Sequence, residues 1–175
     1  SATQLGLLTS AFFLAFALVQ LPVGMALDRH GPRKVQLVLM SMAALGVWLF
    51  SRGQGFAELM CARAVMGAGL GGCFMAAVKA ISSVVAPARL PSVHGYLIAV
   101  GGLGAASATM PVKLALYYTD WRGLFLWLAL AVLAVGLLIR TLSPAPPVAP
   151  AKVHQAGILD VYRDPAFRRT ITLLL

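Results

Sequence analysis

Five stretches of this chain run for 15 to 23 residues without a charged side chain or a histidine: Leu5 to Leu27, Val35 to Phe50, Ala64 to Val78, Gly95 to Val112 and Gly123 to Ile139. A helix rises 1.5 Å per residue, so about 20 apolar residues cross the ~30 Å of a bilayer's hydrocarbon. The shorter runs can borrow Lys34, Arg63 or Lys79, whose aliphatic stems lie along apolar surface while their heads reach the polar boundary. Charged residues make up only 11% of the chain, against roughly 25% in a soluble domain. The pattern predicts an all-α, polytopic transmembrane helix bundle over residues 1–140, with spans at about 4–27, 34–50, 56–81, 94–116 and 122–140.

The net charge of +9 would suggest a nucleic-acid partner in a soluble protein, but no basic stripe lies on an amphipathic element here. Its distribution instead describes a topology. With the turn at 28–34 on the cytoplasmic side, that side carries Arg29, Arg33, Lys34, Lys79, Arg89, Arg140, Lys152, Arg163, Arg168 and Arg169, against Arg52, Lys113 and Arg122 outside. Ten against three satisfies the positive-inside rule. Loops 28–34, 82–93 and 141–165 are therefore expected to be cytoplasmic, in a multi-pass protein of a bacterial inner (plasma) membrane. The lipid bilayer is the first expected partner, and nucleic acid is excluded.

Cys61 and Cys73 fall on one predicted helix, about 18 Å apart at its rise per residue, beyond the ~7 Å that a disulfide spans. His30, His94 and His154 are scattered, and no cluster has metal-ligand spacing. Neither a metal nor a cofactor is expected. The first run is too long for a signal-peptide core and no basic segment precedes it. Past Arg140, four prolines (Pro144, Pro146, Pro147, Pro150) predict an extended linker, followed by a short amphipathic segment with Ile158, Val161 and Tyr162 on one face. Residues 141–165 form this region, and 166–175 read as the start of another crossing.

Small side chains (Gly, Ala, Ser, Thr) fill 8 of 15 positions in 64–78 and 10 of 18 in 95–112, but 4 of 16 in 35–50 and 5 of 17 in 123–139. Because small residues allow close approach in lipid, the third and fourth helices are expected inside the bundle, and the second and fifth against acyl chains. Gly67 with Gly71, and Gly101 and Gly104 with Ala105 and Ala108, supply the packing pairs.

Arg63 lies well inside the third span, where a central arginine costs roughly 2.5–3.5 kcal/mol on insertion scales. It reads either as a snorkelling or carbonyl-paired residue or as a cation facing a wet cavity. Lys113 stands one turn after Thr109 near the outer end of the fourth span, and Gln20 is a polar side chain inside the first. These four are the candidates for a substrate or proton pathway. All five carboxylates, Asp28, Glu58, Asp120, Asp160 and Asp164, sit at span ends or in loops. Two cations and no anion in the crossings point to an anionic small-molecule solute. No nucleophile with a base at catalytic spacing argues for an enzyme, Ser82, Ser83 and His94 included.

The turn itself, "GMALDRHGPRK" (residues 24–34), resembles the cytoplasmic loop signature GxLaDRxGRRR of the major facilitator superfamily, through Gly24, Asp28, Arg29, Gly31, Arg33 and Lys34. "RAVMGAGLGG" is similar to the family's fourth-helix RxxxGxG through Arg63, Gly67, Gly69 and Gly71, and "DWRGLF" to the WRxxF that opens its sixth helix. The fifth-helix antiporter signature is not reproduced. The resemblance implies a partial N-terminal half of that fold, from helix two to the start of helix seven, with a C-terminal half of the same chain as partner. It also implies secondary active transport, by symport or antiport, of a small solute by alternating access, coupled to an ion, expected to be a proton. Asp28 is then the docking carboxylate of a gate, with Gly24 and Gly31 permitting close approach and Arg29, Arg33 and Lys34 adding charge pairs. A transporter-like sensor or scaffold that binds solute without moving it is the alternative.

Overall fold

A computed structural model describes residues 1–142; the Pro-rich linker, the amphipathic segment and the final apolar stretch lie outside the described residues. Seven α-helices make five spans long and apolar enough to cross a membrane. They are α1 (Ala2–His30), α2 (Pro32–Arg52), α3 (Phe56–Gly71) with α4 (Cys73–Ser82), α5 (Leu90–Ser107) with α6 (Thr109–Tyr118), and α7 (Trp121–Leu142). No strand occurs among the described residues.

The turn between α1 and α2 is a single residue. Gly31 has φ +78° and ψ 161°, a backbone region open essentially to glycine alone. Pro32 then occupies the first helical turn, where its missing N–H costs nothing and its fixed φ starts the helix. Alanine at Gly31 is expected to cost about 1–3 kcal/mol. Alanine at Gly55, at φ −107° with open space around it, should stay within about 0.5 kcal/mol. Unfolding in mixed micelles followed by tryptophan fluorescence compares the two.

Two spans are interrupted, for different reasons. Between α3 and α4, Gly72 leaves helical geometry at φ −103°, ψ −8°, where Val23 of α1 and Leu39 of α2 press so close that a Cβ would sit 2.5 and 2.8 Å from their side chains. Between α5 and α6 the cause is Pro111, which cannot donate to the Ser107 carbonyl four residues back.

α3 is the wedge of the bundle, packed on α1 along one side and α2 along the other, and α2 packs in turn on α7. Glycines open both sides. A Cβ on Gly67 would strike the Phe12 carbonyl and one on Gly71 the Phe16 carbonyl, both on α1; on Gly69 it would strike Ala43 of α2. From the other side, a Cβ on Gly46 of α2 would lie 2.6 Å from the Met66 amide nitrogen.

The burial order expected from small-residue content is therefore corrected. α2, expected against lipid, holds more of the core than any other helix described: Val35, Leu39, Ala43, Ala44, Val47 and Phe50 are all buried. Two of its few small residues, Ala43 and Gly46, face α3, and placement outweighs proportion. The span of α5 and α6, expected inside, has no buried residue. Gly101 and Gly104 have nothing within 4 Å of an added Cβ, so they are not packing positions among the described residues. Small side chains allow approach but do not supply the neighbour.

Candidate functional site

At the turn, four helix ends are tied together by two side-chain contacts. The Lys79 ammonium near the end of α4 donates to the Asp28 carboxylate in the last turn of α1. On the other side of Gly31, the Arg33 guanidinium in the first turn of α2 donates to the Arg140 carbonyl near the end of α7. A belt thus runs α4–α1–Gly31–α2–α7. Gly24 lies one turn in from Asp28, and a Cβ there would stand in ordinary contact with α4, 3.9 Å from Met75 Sδ.

The Asp28–Lys79 pair is open to solvent, with side-chain exposures of 60% and 38%. Exposed ion pairs contribute about 0.2–1 kcal/mol. A contact of that size adds little to the stability of a bundle, but it can bias two states of similar free energy and break without large cost. Arg29 and Lys34 are exposed at the same end and add positive charge without a partner among the described residues.

The opposite end of α2 is tied to α7 in the mirrored sense. Arg122, in the first turn of α7, donates to the Ser51 carbonyl at the end of α2 over 3.0 Å, and its guanidinium lies 4.4 Å from the Trp121 ring centre. Each arginine serves a carbonyl at a helix C-terminal end, where the backbone supplies no donor of its own and the dipole favours a cation. The two helices are antiparallel, and both ends are strapped. Between the straps, Phe50 stacks against Phe125 with ring centres 4.6 Å apart, and Gly136 meets Met40.

Arg63 joins this aromatic cluster. Its guanidinium carbon lies 4.9 Å above the centre of the Phe50 ring, while its Nε is buried without a hydrogen-bond partner. A cation–π contact contributes about 0.5–1 kcal/mol when exposed and ~2 when desolvated, less than the 2.5–3.5 kcal/mol cost of a central arginine. The stacking offsets part of the insertion cost and leaves N–H donors for another group.

The remaining pathway candidates do not converge on Arg63. Gln20 on α1 is exposed, as are Thr109 and Lys113 on α6, and none of the three makes a hydrogen bond among the described residues. Sequence reasoning missed Lys79, Ser51 and Arg140 as contact partners. Lys79 carried a visible signal, a lone charge at the end of an apolar span, but it was absorbed into the topology count. The other two act through backbone carbonyls, which no residue identity marks.

Comparison with known proteins accords with this geometry. The chain is 29% identical over 94% of its length to a protein of Escherichia coli named "Probable L-galactonate transporter", covering 38% of that protein. It is 30% identical over 79% of its length to a "Probable sulfoacetate transporter" of Cupriavidus necator, covering 32% of it. It is 27% identical over the same share to a "Hexuronate transporter" of Bacillus subtilis, again covering 32%. The chain thus spans about a third of the length of the curated relatives it matches. The Major Facilitator Superfamily model matches residues 1–175, the described residues hold five helices long and apolar enough to cross a membrane, and the chain belongs to that superfamily.

Proposed function

We propose that the whole protein is a secondary active transporter of small organic anions, working by alternating access and driven by an ion gradient, with a proton as the coupling ion. The observation that carries the reading is the Asp28–Lys79 pair at the turn, a weak contact joining two helices at one end of the bundle. Such a contact can close in one state and part in the other. The positive-inside count supports a cytoplasmic side for that end. The activity involves no covalent step, and it requires the C-terminal half of the fold to complete the cavity.

Two lines support an anionic solute. Arg63 and Lys113 are cations within the spans, and no carboxylate sits in the uncharged runs. The relatives are named for galactonate, sulfoacetate and hexuronate, each of which carries a carboxylate or sulfonate. Arg63, with donors to spare beside Phe50, is the residue proposed to meet that group, and Gln20, Thr109 and Lys113 are secondary candidates along the path.

Counterflow in proteoliposomes with the complete gene product tests the proposal. Labelled galactonate, hexuronate or sulfoacetate should exchange across the bilayer while an uncharged hexose does not. Arg63→Ala removes one charge-assisted hydrogen bond, about 1.5 kcal/mol, and should raise KM about tenfold without changing the inserted amount. Binding of these anions without counterflow would mean a sensor or scaffold; equal transport of the hexose would end the anion reading.

A further inference from the structure

A second polar feature of the same end is not used by the gate. Between α2, α4 and α7 lies a cavity of about 310 Å³. Its wall is mostly aliphatic, formed by Ala76, Ala80, Ile81, Val84 and Ile139, and no carboxylate lines it. Three groups break the apolar surface, one of them Ser83, whose hydroxyl is spent on the Ala80 carbonyl. Arg33 reaches in from the first turn of α2; one of its five N–H donors serves the Arg140 carbonyl, and the others have no partner among the described residues and can bind an anion. One turn further on, Gln36 lines the same cavity, and its Oε1 is buried with no hydrogen-bond partner.

A buried amide oxygen left unsatisfied costs about 1–3 kcal/mol, and because this one is screened from a water-sized probe, the Gln36 amide must turn toward the cavity for a ligand there to meet it. The missing partner is a hydroxyl or similar donor, and a hydroxyl would serve equally if the amide were turned to present its N–H₂. The free guanidinium donors ask for an anion about one turn away. The aliphatic remainder, with Val84 exposed and Ile139 half-buried at its edge, asks for a hydrocarbon chain entering from the side. These three demands, one anion, one hydroxyl and one chain, occur together in a lipid whose headgroup is a phosphodiester carrying a glycerol.

We propose that this cavity is a site for an inner-leaflet phosphoglycerol lipid. The phosphodiester rests on Arg33, a headgroup hydroxyl meets Gln36, and the first part of an acyl chain lies along Ala80, Ile81 and Val84. The volume suits a headgroup and the beginning of one chain, at the small end of ligand pockets. Each methylene drawn into it adds apolar burial. The lipid would brace the α2–α7 pair at the end where Arg33 already straps it. The proposal rests on the membrane reading above for its leaflet, but not on the identity of the solute or on transport itself.

Native mass spectrometry of the complete gene product, released from mixed micelles, reads the occupancy directly and needs no flux. With equal phosphatidylglycerol and phosphatidylcholine present, the protein should retain the former at least fivefold more. Arg33→Gln removes the charge and, with its shorter side chain, also gives up the Arg140 carbonyl, and should lower phosphatidylglycerol retention about tenfold. Gln36→Leu should lower it about threefold, and Ala80→Trp, which fills the cavity, should abolish it. Because Ala80→Trp alone could act through misfolding, the near-isosteric Gln36→Leu decides the matter. Equal retention of the two lipids, or phosphatidylglycerol retention unchanged by both Arg33→Gln and Gln36→Leu, overturns the proposal and leaves the cavity to a protein segment. Displacement of the lipid by soluble glycerol phosphate overturns it in favour of a solute site. Loss of transport with the lipid pattern intact bears only on the transporter reading.

Discussion

Leucine at Gly67 is expected to cost more than about 3 kcal/mol and to part α1 from α3. Overpacking a core ordinarily costs 1–3 kcal/mol because neighbouring side chains can rotate away. Here the group in the way is the Phe12 carbonyl of α1, which is backbone inside a helix and cannot rotate alone. The whole helix must move, and its other close approach, Gly71 against Phe16, is lost with it. Gly101→Leu is the matched control, since an added Cβ there meets nothing, and it should stay within about 0.5 kcal/mol. Reversible unfolding in mixed micelles, with a cysteine cross-link between α1 and α3 as a second readout, measures both. A penalty at Gly101 as large as that at Gly67 would sink the distinction between the two glycine-rich spans.

Reversing the charge at Asp28 is expected to lower flux about 30-fold while leaving insertion and folding unchanged. Asp28→Lys replaces an attraction worth up to ~1 kcal/mol with a repulsion of similar size, a swing of roughly 2 kcal/mol in a two-state balance. Asp28→Asn removes only the attraction and should cost about fivefold. The exchange of both residues, Asp28→Lys with Lys79→Asp, restores opposite charges at the same positions and should recover most of the loss. Flux in proteoliposomes at matched protein density, at low and high salt, reads all three; screening should shrink the differences as ionic strength rises. Normal flux in Asp28→Lys would reduce the turn to a topology marker.

The five spans were legible because a bilayer imposes a length and forbids charge, and both conditions are written directly in the order of residues. The turn was legible for a related reason: a short charged segment between two apolar runs must reverse the chain at the membrane surface. The break at Gly72 was not, since it depends on Val23 and Leu39 arriving from two other helices. Burial was misjudged because composition averages around a helix, whereas Ala43 and Gly46 matter by the side on which they fall. At the site, Asp28 stood out as the acid in a basic turn, but its partner lies 51 positions away and had an adequate explanation of its own. Arg63 invited a search for an anion, and it rests on the face of Phe50 instead, a partner that carries no charge to look for.

The single-residue turn also fixes how motion can pass through this end of the molecule. With Gly31 alone between two continuous helices, only two backbone torsions separate a rod of about 44 Å from one of about 32 Å, at 1.5 Å per residue. A change of only ~10° at that joint would sweep the far end of the longer rod through about 7–8 Å. There is no slack in which such a rotation could dissipate. The joint can therefore act as the fulcrum of a lever only where α3, wedged against both rods through Gly67, Gly69 and Gly71, moves with one of them.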